Sequence, residues 1–142
     1  MKILSIPILI LTIMTCVTIQ KTDMQVDPKL RLNDIWVLET LEGEKIEVAQ
    51  LQKNPYLEFN LAEQRVIGHD GCNSLSGSIR QVDSTLLLLN PVAATRMMCL
   101  DMKIPNQFGR LLSRVKNYKI EDKILYIYDE QASEIMTFGK TD

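Results

Sequence analysis

The chain has 142 residues, 46% of them hydrophobic and 24% charged, with a formal net charge of −2. That length suits one domain, and a composition this apolar argues against intrinsic disorder. No basic stripe is present to neutralise a phosphate backbone, so nucleic acid is not an expected partner.

The first residues stand apart. "MKILSIPILILTIMTC" carries one lysine, Lys2, then an apolar run from Ile3 to Ile13, then Cys16. This is the layout of a secretory signal, and the run is shorter than the roughly 20 residues of a membrane span. Ile13-Met14-Thr15-Cys16 resembles a bacterial lipobox, with Thr15 where Gly, Ala or Ser is usual. Residues 1–16 are therefore expected to be a signal peptide with Cys16 as the lipidated residue. The alternatives are an ordinary cleaved signal and an uncleaved anchor reaching Ile19. Each puts the folded part outside the cytoplasm; with Cys16 lipidated, it is expected in a bacterial cell envelope, held to the membrane by its lipid and facing the periplasm. Residues 17–32 are polar with little periodicity and read as a tether; the domain is expected over 33–140.

From there the pattern is strand after strand. Strands are expected at 35–41, 45–51, 56–61, 64–70 and 74–82, with a tight turn near Ala62-Glu63 and a weak point at Gly77. Asp83-Ser84 is a turn, and the apolar 85–90 is expected to be buried on both sides. Leu100, Ile104, Phe108, Leu111, Leu112 and Val115 recur at steps of three and four, which predicts an amphipathic helix with Asp101 as N-cap or a start at Pro105. Three strands at 118–122, 123–129 and 134–139 finish the chain. About eight strands and one helix without βαβ alternation imply an α+β fold: an antiparallel curved sheet or small open barrel with one covering helix.

The chemistry centres on "GHDGCNSLSG" at 68–77. If Cys16 is lipidated or lost, Cys72 and Cys99 remain, and in an oxidising compartment two cysteines read first as a disulfide. Gly71 allows a bend and Asn73 can bond nearby backbone. A thiol nucleophile would need His69, the sole histidine, as its base. A metal would draw on Cys72, Cys99, His69 and Asp70, without the close ligand pairs of structural zinc sites. Neither arrangement is forced by the spacing, so no catalytic residue and no metal or other cofactor is expected. Glu42/Glu44 and Asp129/Glu130 flank turns and read as solvated charge. The stripe of Phe108, Leu111, Leu112 and Val115 either fills the core or lines a groove for an acyl chain or peptide, with Met97, Met98 and Met102 near one end.

Trp36-Val37-Leu38, the strand Leu57 to Leu61, "RVIGHDGCNSLSGSI", "TRMMC" and the late "ILYIYD" together make the chain resemble the META domain family of HslJ-like bacterial envelope proteins, over residues 33–139. The Gly-Cys-Asn and Thr-x-Met-x-Cys elements carry the likeness through Gly68, Gly71, Asn73, Thr95 and Met97; His69 is not part of the family motif. The resemblance implies a small fold dominated by antiparallel strands, an envelope or secreted location, no established enzymatic activity, and a link with stress response and novobiocin resistance. It also implies similarity to secretin pilot proteins, small lipoproteins with an apolar groove. The expected function is thus a non-enzymatic, membrane-anchored binding or scaffolding module, whose partner is an envelope protein or a hydrophobic ligand.

Overall fold

The computed structural model describes residues 26–141; the export segment, Cys16 and most of the expected tether lie outside the described residues. A short helix α1 (Pro28–Leu32) precedes β1 (Ile35–Leu41), β2 (Glu44–Lys45), β3 (Tyr56–Asn60), β4 (Arg65–His69), β5 (Ser74–Val82), β6 (Leu87–Leu89) and β7 (Ala93–Ala94). Helix α2 (Lys103–Leu112) then leads to β8 (Asn117–Glu121), β9 (Ile124–Tyr128) and β10 (Glu134–Lys140).

Period-two alternation gives these strands an inner face. Trp36 and Leu38 of β1, Leu57 and Phe59 of β3, Val66 of β4, Leu75 and Ile79 of β5, and Leu125 and Ile127 of β9 are all buried. In β1 a register shift between Leu38 and Thr40 breaks the alternation and returns Leu41 to the core, as a β-bulge does.

The strands form one antiparallel sheet in the order β6-β5-β4-β3-β1-β10-β9-β8, with β2 added to β1 and β7 to β5. Its two ends meet. Leu87 N–H donates to Lys116 O at 3.0 Å, Tyr118 N–H donates to Thr85 O at 2.7 Å, and Leu86 bridges Asn117. The Tyr118 hydroxyl locks this seam by donating to Asp83 O at 2.6 Å. Burial, then the nearby Asp27 and Asp83 carboxylates, push its pKa up to about 12, so it remains a donor. This near-closure into a barrel shields much of the free edge that invites aggregation.

Helices cover both ends. At one end lie the turns at 61–64, 83–86 and 122–123, and there α1 packs. Leu32 is fully buried, its carbonyl accepts from Trp36 Nε1 at 3.0 Å, and Arg31 donates to Asp122 O at 2.6 Å. At the other end lie the turns at 42–43, 70–73 and 129–133, crossed by α2. Phe108 there meets Phe138 of β10 with ring centroids 6.0 Å apart, and burying such a side chain stabilises the fold by roughly 1.5–3 kcal/mol.

Several expectations need correction. The folded body begins before 33: Asp27 Oδ1 accepts from Lys29 N–H at 3.0 Å, capping α1, so residues 27–32 belong to the domain rather than the tether. The expected strand at 45–51 shrinks to Glu44–Lys45, because Ile46 N–H turns back to Glu39 O and Leu51 N–H to Val48 O. The apolar 85–90 yields only three strand residues, and of these only Leu87 is fully buried, since β6 lies at the seam. Helix α2 spans ten residues and leaves Leu100 outside it and fully exposed. The helix starts at Lys103 rather than Pro105, and its N-cap is Met102, which makes no side-chain cap bond, rather than Asp101; Asp101, one residue further out, accepts from Lys103 N–H at 2.8 Å. The groove alternative also fails for its stripe: Phe108, Leu111, Leu112 and Val115 are buried in the core.

Two glycines test this packing in opposite directions. A Cβ on Gly68 would lie 2.2 Å from Tyr56 O on β3. Gly68→Ala is expected to lower stability by about 1–3 kcal/mol, since backbone must shift to relieve the overlap. Gly109, inside α2, has open space at its Cβ position, so Gly109→Ala is expected to raise stability by up to about 1 kcal/mol through helix propensity. Urea denaturation midpoints check both signs.

Candidate functional site

The α2 end of the barrel gathers the residues singled out by sequence. Strands β4 and β5 are joined by Asp70-Gly71-Cys72-Asn73, and the fold of this turn follows from its side chains. Asp70 is buried, and its Oδ1 accepts from the N–H groups of Cys72 at 2.8 Å and Asn73 at 2.5 Å. The Asp70 N–H in turn donates to Asn73 O at 3.0 Å. Gly71 sits at φ +101, a left-handed conformation that L side chains rarely adopt, with the Leu51 side chain packed over it.

Asn73 carries the connection outward. Its Nδ2 donates to Asp70 Oδ2 at 3.1 Å, while its Oδ1 accepts from Met97 N–H at 2.8 Å and from Thr95 Oγ1 at 3.4 Å. Thr95 Oγ1 also accepts from Ser74 N–H at 3.1 Å. Two residues beyond Met97, Cys99 is disulfide-bonded to Cys72, with the Cα atoms 6.0 Å apart. The Gly-Cys-Asn and Thr-x-Met-x-Cys elements are thus two halves of one clip. It ties the β4–β5 turn to the segment that leads into α2. By the chain-entropy model a 27-residue separation makes such a crosslink worth about 3.5 kcal/mol.

Beside the clip, the segment from Arg96 to Leu100 projects into solvent. Met97 is 49% exposed, Met98 98% and Leu100 106%. Helical spacing had assigned Leu100 to the apolar stripe, and the alternation of apolar and polar residues gave no sign that the loop would turn it outward. Further round the same end, Glu42 accepts from Gln107, Arg110 and Arg114 of α2 and the residues after it. Arg114 also pairs with Asp129 at 2.6 Å. Asp129, read from sequence as solvated charge, is buried, and its Oδ1 caps the β9–β10 turn by accepting from Gln131 and Ser133 N–H at 3.0 Å. The Asp-x-x-x-Ser spacing of that turn is a side-chain-to-backbone signal that could have identified it.

The geometry restricts the available chemistry. Cys72 is fully buried and bonded to Cys99, so in this state neither sulfur is a thiolate nucleophile. His69 closes β4, and its Nδ1 accepts from Gly71 N–H at 3.1 Å, which occupies that nitrogen inside the turn. Asp70 spends its oxygens on Cys72 and Asn73. Among the described residues no cluster of three His, Cys, Asp or Glu could hold a metal ion. What this end does offer is a rigid platform that presents an apolar loop.

The clip generates a coupling experiment. Asn73→Ala orphans the Met97 N–H and one Asp70 oxygen and is expected to cost about 1–3 kcal/mol. Reduction of the disulfide is expected to cost a further few kcal/mol, and the two losses together should fall short of their sum, because both act on the same segment. Denaturation of wild type and variant with and without reductant measures this. Asp129 generates a pH dependence. Burial raises its carboxyl pKa, but the Ser133 N–H, the Arg114 guanidinium and the Gln131 N–H outweigh that and hold it below the ordinary 3.8. A lowered folded-state pKa stabilises the fold above the unfolded value, and that stability is lost as pH falls through the folded value. Asp129→Asn is therefore expected to be less stable than wild type at neutral pH, with the gap closing as pH drops below 3.8. Thermal melts across acidic pH check it.

Comparison with known proteins places the fold. Three solved structures share it. One, determined by NMR, is 22% identical with a TM-score of 0.60, over 81% of this chain and 95% of that one. A protein from Burkholderia xenovorans, also an NMR structure, is 20% identical with a TM-score of 0.59, over 78% of this chain and 85% of its own. A duf4847 family protein from Bacteroides vulgatus is 13% identical with a TM-score of 0.55, over 78% and 96%. No curated protein matches the sequence. The META domain family model matches residues 28–142, starting at α1 and running through both halves of the clip. The chain belongs to the META domain family.

Proposed function

We propose that this protein is a non-enzymatic lipoprotein of the bacterial cell envelope, anchored through Cys16, whose META domain acts as a binding or scaffolding module in envelope stress response or homeostasis, with antibiotic tolerance as one consequence. The observation that carries the reading is the clip. Its two sulfurs are joined, which suits an oxidising compartment, and they hold a turn and a loop in fixed geometry. The side chains that could have formed a reactive centre, Cys72, His69 and Asp70, are instead spent on that geometry. The signal-like segment before Cys16 supports export, and membership of the META family fits a module of this kind. The hydrophobic-ligand alternative loses its groove, since the helix stripe is buried in the core.

The test has two parts. The mature protein extracted from membranes is expected to carry acyl mass on Cys16 and to lack two hydrogens at Cys72 and Cys99. Deletion of the gene is expected to sensitise cells to novobiocin and to detergent, with rescue by wild type but not by Cys16→Ser. Equal rescue by Cys16→Ser, or an unmodified Cys16, contradicts the anchor.

A further inference from the structure

We propose that the loop from Arg96 to Leu100 inserts its apolar tip into the interfacial layer of a lipid bilayer, the same one that holds the N-terminal anchor. The inference rests on the anchored reading above and deepens it by naming a second point of membrane contact. Met98 and Leu100 are the most exposed large hydrophobic side chains of the described residues, and Met97 beside them is half exposed. The three lie within four consecutive residues of one exposed loop and make its apolar knob. A knob of three side chains falls short of the roughly 800 Å² per partner that a standard protein interface buries, whereas fluid hydrocarbon accepts a knob of any shape.

The surroundings fit lipid. The knob is flanked by Arg96 and Lys103, both exposed, which suits the anionic surface of a bacterial membrane. Between them in sequence, the Asp101 carboxylate accepts from Lys103 N–H at 2.8 Å. The base of the loop is already fixed by the disulfide and by the bond from Met97 N–H to Asn73, so little conformational entropy remains to be lost on insertion.

The reach is also sufficient. Cys16 and the α1 cap Asp27 are separated by residues 17–26, an extended span of roughly 33 Å. The barrel, judged from the seven residues of β1, is about 23 Å tall. The chain can therefore leave the membrane, pass the barrel and let the α2 end face the lipid.

The experiment places tryptophan probes in the full chain, reconstituted into phosphatidylethanolamine/phosphatidylglycerol vesicles. Trp36 is buried and supplies a constant background. Met98→Trp alters a side chain that touches nothing structural, and Leu30→Trp places a probe on the exposed face of α1 at the opposite end. The expected result is a shift of Met98→Trp emission to shorter wavelength on adding vesicles and loss of its intensity with nitroxide-labelled lipid, with Leu30→Trp unchanged. Emission from Met98→Trp that stays at its aqueous wavelength and unquenched overturns the proposal. So does stronger quenching of Leu30→Trp, which would mean that the α1 end faces the membrane, and so does a shift of Met98→Trp that occurs without vesicles. Absence of an acyl group on Cys16 defeats the anchor alone; insertion is then read from Met98→Trp with vesicles in excess.

Discussion

The side-chain amide of Asn73 joins parts of the chain 24 residues apart, accepting from Met97 N–H while donating to buried Asp70. One carboxamide thereby satisfies polar groups on both sides of a buried junction, and Asp70 completes it by taking two backbone N–H groups. Among the described residues no buried side-chain nitrogen or oxygen lacks a partner. An unsatisfied group at such a junction would cost about 1–3 kcal/mol, so the turn, the loop and the disulfide form as a unit. Without it the segment entering α2 would have only the helix's own apolar face to hold it.

That dependence explains the economy of the rest of the molecule. A sheet of short strands closes at a seam of few hydrogen bonds, with the Tyr118 hydroxyl and Leu87 N–H making the join. Each open end of the barrel is covered by a helix, α1 through Leu32 and α2 through Phe108 and Leu111. The polar contacts of Glu42, Arg114 and Asp129 fix how α2 lies across its end. The clip then fixes where the chain arrives, so the exposed loop is aimed by structure on both sides of it.

Much of this was legible in the residues themselves. Alternation of Trp36 with Leu38 and of Leu57 with Phe59 marked β1 and β3, and the late strands followed the same rule. The pairing of Cys72 with Cys99 was readable because two cysteines after a signal-like segment have few other fates. Other features were hidden for physical reasons. A strand pattern at 45–51 is local, and only the neighbouring β3 and the turn through Ile46 decide that β2 stops after two residues. Asp70 looked like a candidate ligand because its burial against three donors arises from the folded turn. Leu100 fitted a helical stripe by spacing, yet the disulfide at Cys99 pins the chain one residue earlier and turns Leu100 to solvent. The short α1 was masked by its polar setting, since only Leu32 of its five residues is buried.

The most direct measurement is residue-resolved amide hydrogen exchange in the oxidised and reduced protein. The N–H groups of Cys72, Asn73 and Met97 should be protected together when the disulfide is intact. On reduction Met97 should exchange much faster while the amides of β1, β3 and β10 stay protected. Met97 exchanging as freely as Met98 in the oxidised protein would contradict the clip, and with it the account of how this end of the barrel is built.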